Sequence, residues 1–167
     1  MKQSIEDLAD ANYVESIREH ARWQAPCEWT EAGGVLMVAG ANAFPIAYRN
    51  CVVRVDAGIA AAEVLDRAGE FFGKRGRGYA VIVRGSRDGD IEETLRAAGL
   101  TPMADSPCML IESPLAEPAI PPGVRIEHFD SERHVRDAVR VNEEAYEAIK
   151  LPAAETQAFF GKPAALL

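Results

Sequence analysis

The stretch VVRVDAGIAAAEVL, residues 52–65, changes from strand-like to helix-like periodicity within a few residues. It continues a β-branched run over residues 50–55, which predicts a central strand. Asp56 then stands where a helix N-cap is expected. Apolar side chains recur at helical spacing from Ile59 to about Lys74. A strand leading directly into an amphipathic helix is therefore the first unit of the fold.

This helix is followed by a second strand, YAVIV, at residues 79–83. An almost wholly apolar short run is typical of a strand buried on both faces, next to parallel neighbours. Closer to the N-terminus, two short runs flank Gly33 and Gly34 and predict a hairpin, because glycine adopts positive φ at little cost. The sequence as a whole is that of an α/β (α+β) chain. Further helices are predicted at residues 4–24 and 90–98, and further strands at 29–32, 35–39, 101–103 and 108–111.

The first predicted helix contains a candidate interruption. Asn12 is followed three residues later by Glu15, the pattern of a capping box that would restart the helix after a break. Pro26 then ends the helix, because the residue before a proline disfavours helical backbone angles.

A proline-rich segment divides the chain. Residues 113–123 contain four prolines and almost no periodicity, which is typical of a semi-rigid linker. We therefore predict one domain over residues 1–112 and a second unit over 124–167. That unit should contain a strand at 124–128 and helices at 131–149 and 152–160. It buries too little apolar surface for its own core, so we expect it to dock on the first domain, to exchange between chains in a homodimer or swapped oligomer, or to be partly disordered.

Charge and composition exclude several classes of partner. The formal net charge of −8 repels polyanions, and the only basic cluster is the turn at Lys74, Arg75 and Arg77, so nucleic-acid binding is not expected. No leader-like or membrane-spanning apolar run is present, which predicts a cytoplasmic protein without a membrane partner. The three cysteines and three histidines have no metal-ligand spacing, so no metal site is predicted.

The order of these elements resembles that of the GNAT N-acetyltransferases over roughly residues 4 to 111. The segment at 52–65 matches the strand, loop and helix that hold the cofactor in that family, and LRAAGL at 95–100 is similar to its later Gly-Phe element. The resemblance implies a mixed central sheet flanked by helices, acetyl-CoA as donor and a small-molecule amine as acceptor. It assigns the cofactor-binding position to Val53, Val55, Gly58 and Ala60.

The cofactor loop departs from the family pattern Arg/Gln-x-x-Gly-x-Gly/Ala. In the family, backbone N–H groups of this loop bind the pyrophosphate of acetyl-CoA. Here only Gly58 remains as a flexible donor, and Asp56 places a carboxylate near the expected phosphates. The stretch RGRGYA at 75–80 fits the pattern by letter, yet it follows a helix and precedes a strand, which points its amides the wrong way. The first domain therefore resembles a degenerate GNAT domain.

Residues 124–167 are similar to the opening strand and two helices of a second GNAT unit, so the chain resembles the first half of a tandem GNAT protein with an incomplete active site. No residue is predicted to be catalytic. Glu144 and Tyr146 lie on the predicted helix that faces the acceptor in the family, which makes them candidate substrate contacts. The alternative interpretation is a solvated acidic helix with one packed aromatic side chain.

Three functions remain open on the sequence. The first is an N-acetyltransferase whose N-terminal domain is non-catalytic. The second is a non-catalytic module that binds acyl-CoA or another small ligand, or that packs against a catalytic partner domain. The third is an α/β protein unrelated to GNAT that shares its order of helices and strands.

Overall fold

The computed structural model describes residues 4–85, 87–111, 116–117, 119–148, 150 and 152–167. Its helices are α1 (Ile5–Trp23), α2 (Ala61–Gly73), α3 (Gly89–Ala97), α4 (Glu132–Glu147) and α5 (Ala153–Phe159), and a terminal 3₁₀ turn spans Pro163–Leu166. Its strands are β1 (Glu28–Ala32), β2 (Val35–Ala39), β3 (Asn50–Arg54) and β4 (Ala80–Val81).

The four strands form one mixed sheet in the order β1-β2-β3-β4. The first three are antiparallel neighbours, whereas β3 and β4 run parallel. Gly33 and Gly34, with φ of 53° and 76°, form the two-residue turn between β1 and β2, as their sequence predicts. The prediction of a mixed α/β fold with a central sheet and flanking helices is confirmed.

The sheet is packed between helices on both faces, and successive residues of β2 and β3 alternate between the two layers. On one side Val52 and its neighbours pack against α2 and α3, through buried residues that include Phe72 and Ile91. On the other side Cys51 and Val53 pack against Ile17 and two further buried residues of α1. Both strands are buried along their whole length, so they form the centre of the core.

Helix α1 is continuous, so the prediction that it restarts near Asn12 is wrong. Its capping box lies at its start, where the Ser4 side chain accepts from the Asp7 N–H and the Asp7 side chain accepts from the Ser4 N–H. Val14 and Ile17 lie in the buried layer on the sheet. This packing on the sheet keeps the helix continuous through the region where the local sequence favours a break.

The predicted N-cap role of Asp56 is also wrong. Helix α2 begins at Ala61, five residues after Asp56 rather than directly after it. Its N-cap residue is Ala60, which makes no side-chain cap hydrogen bond. The Asp56 carboxylate instead accepts from the backbone N–H of Gly58. An Asx turn of this kind is the usual competitor of an N-cap for the same side chain.

Three predicted strands are not formed, and a fourth is shorter than predicted. The described residues at 101–103, 108–111 and 124–128 have no strand pairing, and Met109, for example, is 91% exposed. The strand predicted at 79–83 is reduced to Ala80–Val81. A strand-like sequence becomes a strand only beside a partner that offers free N–H and C=O groups, and no such partner pairs with these residues in the part of the chain that the structure describes.

The C-terminal helices form close to the predicted bounds. Helix α4 is capped by the Ser131 side chain, which accepts from the His134 N–H, and α5 follows Pro152. Of the predicted linker, residues 113–115 and 118 lie outside the described residues, and the boundary between two domains stays a prediction. No helix within the described ranges is long and apolar enough to cross a membrane.

Candidate functional site

The hydrogen-bonded ladder between the parallel strands β3 and β4 ends after two residue pairs, and we call the position where it ends the opening. Their register joins Cys51 to Ala80 and Val52 to Val81, and the ladder ends with the Ile82 N–H donating to the Val52 carbonyl at 2.9 Å. Beyond this point the Arg54 carbonyl accepts from Nη2 of Arg84 at 2.7 Å. A side chain therefore takes the place of the next backbone hydrogen bond across the opening.

Arg54 itself bridges the opening on the side of α2 and α3. Its Nε donates to Asp88 at 3.0 Å, and its two terminal nitrogens bind both oxygens of Asp90 at 2.7 and 2.8 Å. The same nitrogens donate to the carbonyls of Ile59 at 3.0 Å and Arg87 at 2.7 Å. All five N–H donors of the guanidinium are satisfied, and its side chain is only 4% exposed.

Asp88 links these contacts of Arg54 to Arg84. Its carboxylate is fully buried and accepts from the backbone N–H of Arg84 at 3.0 Å and from Nε of the same residue at 2.8 Å. We call Arg54, Arg84, Asp88 and Asp90 the arginine network. Two positive and two negative side chains balance, which is the condition for burying charge at tolerable cost.

The contacts between Arg54 and Asp90 shift the pKa of both groups. The hydrogen bond from Arg54 holds the pKa of Asp90 below its ordinary value. The hydrogen bond to Asp90 raises the pKa of Arg54 in turn, against the opposing effect of burial. Asp90 is therefore an ionised partner of Arg54 near neutral pH, which is unlike a general base poised near neutrality.

The loop between β3 and α2 is satisfied internally. Oδ1 of Asp56 accepts from the Gly58 N–H at 2.8 Å, and the Asp56 carbonyl accepts from the Ile59 N–H at 3.2 Å. The Gly34 carbonyl accepts from the N–H groups of Val55 and Asp56 at 2.8 and 3.1 Å, which fixes the loop to the hairpin. Two of the N–H groups that a phosphate would need are thus already bonded.

These residues do not fit the diphosphate of acetyl-CoA. The carboxylate of Asp56 holds the amide of Gly58, so an incoming phosphate would meet a like charge at the donor that it needs. Helix α2 starts without a side-chain cap, which leaves its dipole open to an anion, yet its first turn carries Glu63. The opening between β3 and β4 is bridged by two arginine side chains.

The four residues assigned to the cofactor position lie along this loop with different surroundings. Val53 is buried against α1, and Val55 packs on the same layer, so both side chains point away from the α2 side of the sheet. Gly58 and Ala60 are exposed. The assignment of all four to cofactor binding stays a prediction.

The two candidate substrate contacts lie on α4 but not on one face. Glu144 lines an open cleft of about 610 Å³ together with Arg140, Glu143 and Glu147. Tyr146 is two positions further along the helix, so its exposed side chain lies roughly 200° around the axis from that of Glu144. The structure does not bring the pair together, and their role in substrate binding stays a prediction.

The side chains of Cys27, Cys51 and His20 lie in packed surroundings. Burial raises the pKa of Cys51 to about 12 and that of Cys27 to about 11. Arg54, three residues from Cys51 in sequence, points to the opposite face of the sheet. His20 packs between Trp23 and Tyr48, with ring centroids 4.3 and 4.4 Å apart. Among the described residues no group of three or more His, Cys, Asp and Glu side chains could hold a metal ion.

The arginine network is the feature that sequence reasoning missed. A charged residue inside the β-branched run 50–55 was a signal that something buried must neutralise it. The partner, Asp88, lies in a loop 34 residues away and has no distinguishing local pattern.

Comparisons of the chain with known protein families, with curated proteins and with solved structures returned no match.

Proposed function

We propose that the protein is of the GNAT N-acetyltransferase type, with acetyl-CoA as donor and a small-molecule amine as acceptor, and that its first domain, residues 1–112, is a non-catalytic module of it. The observation that carries this proposal is the bridged opening between β3 and β4. The parallel ladder between β3 and β4, which ends after two residue pairs, agrees with the GNAT resemblance, although β4 is an edge strand of the described sheet. The arginine side chains across the gap agree with a module that does not bind the donor.

The chemistry of the transfer supports the same division. Acetyl transfer to an amine needs a group that takes the amine proton, a donor that polarises the thioester carbonyl and an acid for the leaving thiolate. Where the ladder between β3 and β4 ends, Arg54, Arg84, Asp88 and Asp90 are engaged with one another. A module of this kind contributes structure, and the transfer belongs to another GNAT unit.

The alternative of an acyl-CoA sensor requires the same loop to bind the donor. The hydrogen bond between Asp56 and Gly58 argues against it as much as against catalysis. A module that packs against a catalytic unit requires no such site, and it is the form of the alternative that the structure favours.

Thermal unfolding of the whole chain with and without acetyl-CoA tests this proposal. A competent site saturated at about 100 times its Kd would stabilise the fold by about 2.7 kcal/mol, or roughly 5 °C or more in Tm. We expect no shift at millimolar acetyl-CoA, and no release of free CoA thiol when amines are added. A saturable rise in Tm or amine-dependent thiol release would overturn the non-catalytic role.

A further inference from the structure

Helix α5 is bound to a surface made by the C-terminal end of α1 and the loop over residues 40–49, which we call the docking surface. The helix has only seven residues, which is too short to be stable alone in water. Its order must therefore come from contacts with the rest of the chain.

Backbone hydrogen bonds join the ends of the two helices. The Ala25 N–H donates to the Ala158 carbonyl at 2.9 Å, and the Lys162 N–H donates to the Trp23 carbonyl at 2.8 Å. Carbonyls in the last turn of a helix have no partner within it, so each helix end supplies what the other lacks. This exchange fixes the relative position of α1 and α5.

Glycine is required where the two segments touch. A Cβ added at Gly161 would lie 2.7 Å from Cβ of Ala25 and 2.9 Å from its backbone nitrogen. Neither atom belongs to a flexible side chain that could move aside. The approach of the two backbones therefore depends on residue 161 having no side chain.

Aromatic and charged side chains complete the contact. Phe160 stacks on Trp23 with centroids 6.3 Å apart, and Phe159 lies 5.2 Å from the ring of His20. Arg49 lies 5.5 Å over the Phe159 ring and binds the Glu155 carboxylate at 2.7 Å. The docking surface thus presents aromatic rings and a cation, and α5 presents a carboxylate and two phenyl rings.

We propose that the docking surface is a specific receptor for residues 155–162 of the same chain, recognised as Glu155 followed by Phe159, Phe160 and Gly161. This contact is the joint that holds the C-terminal helices, α4 included, on the module. The inference rests on the proposed function only where it treats the N-terminal domain as a non-catalytic, structural module. The contact itself is independent of any donor.

Hydrogen exchange of the whole chain, measured by mass spectrometry, tests the joint. Gly161→Ala introduces one methyl group at the contact, and Gly73→Ala is the matched control because nothing lies within 4 Å of its added Cβ. We expect amides of residues 153–160 to exchange about tenfold faster or more in Gly161→Ala, with residues 50–72 unchanged. Gly73→Ala should leave residues 153–160 as in the wild type.

Glu155→Gln gives a second, milder test that keeps the side-chain shape while removing the charge facing Arg49. It should accelerate exchange in the same residues by a smaller factor. Equal exchange of residues 153–160 in the wild type and in both the Gly161 and Glu155 variants would overturn the joint. Binding of acetyl-CoA with exchange of α5 unaltered would instead count against the proposed function alone.

Discussion

The carboxylate of Asp56 accepts a hydrogen bond of 2.8 Å from the backbone N–H of Gly58, two residues along the same loop. In the GNAT resemblance this amide is one of those expected to bind phosphate. The Asp56 carboxylate therefore occupies the amide at which a phosphate would bind, and the loop makes this hydrogen bond without a ligand.

Asp56→Ala removes the acceptor of this turn. We expect a loss of about 0.5–1.5 kcal/mol in the free energy of unfolding, since one hydrogen bond to a charged group near the surface is lost. Urea denaturation measures it. Asp66→Ala, on the exposed side of α2, is the control and should cost less. Equal losses in the two variants would mean that the Asp56 turn does not stabilise the loop.

Arg54→Met leaves the fully buried carboxylate of Asp88 without one of its two cations. Breaking a buried ion pair in this way costs about 3–5 kcal/mol, because the remaining charge stays desolvated. Arg96→Met is the matched control, since Arg96 pairs with Glu92 on the surface of α3 and such pairs contribute about 0.3–0.5 kcal/mol. Denaturation midpoints that fall equally in both variants would rule out a structural role for the arginine network.

Asp90→Asn tests the dependence of stability on pH. The pKa of Asp90 lies below its ordinary value of 3.8, chiefly because of the hydrogen bond from Arg54. A carboxyl group with a depressed pKa in the folded state contributes stability that is present above its unfolded pKa and lost as pH falls through its folded pKa. The variant should therefore show a shallower loss of stability below about pH 4 than the wild type. Identical slopes in acid would contradict the assignment.

Thiol labelling tests the surroundings of the cysteines. Cys108 is exposed, whereas burial raises the pKa of Cys51 to about 12. We expect one fast-reacting thiol in the native protein near neutral pH, abolished by Cys108→Ser, with the half-buried Cys27 reacting more slowly and Cys51 only after denaturation. Rapid native labelling of Cys51 would show that the core around β3 opens.

The sequence predicts those parts of the fold whose signals are local. The turn at Gly33 and Gly34 and the strand and helix on either side of residue 56 follow from the period of their own apolar residues. The predicted cap at Asp56 was wrong because the same carboxylate can bind Gly58, and local sequence does not decide between the two. The strands expected at 101–103 and 108–111 depend on a partner that local sequence cannot supply.

Contacts between distant residues were beyond reach for the same reason. Nothing near Arg54 points to Asp88, and nothing near Ala25 indicates that Gly161 must approach it. The predicted roles of Gly58 in cofactor binding and of Glu144 in substrate binding rest on the resemblance and stay predictions. The carboxylate of Asp56 beside Gly58 was already a reason to expect no phosphate there.

An NMR titration tests most directly whether the loop between β3 and α2 binds acetyl-CoA. The amide resonance of Gly58 is followed in a nitrogen-15 correlation spectrum while acetyl-CoA is added. We expect the Gly58 and Ile59 resonances to stay in place up to millimolar acetyl-CoA, because their N–H groups are bonded to Asp56. Saturable shifts of both resonances, with a matching response at Arg54, would contradict the account and place the donor in this loop.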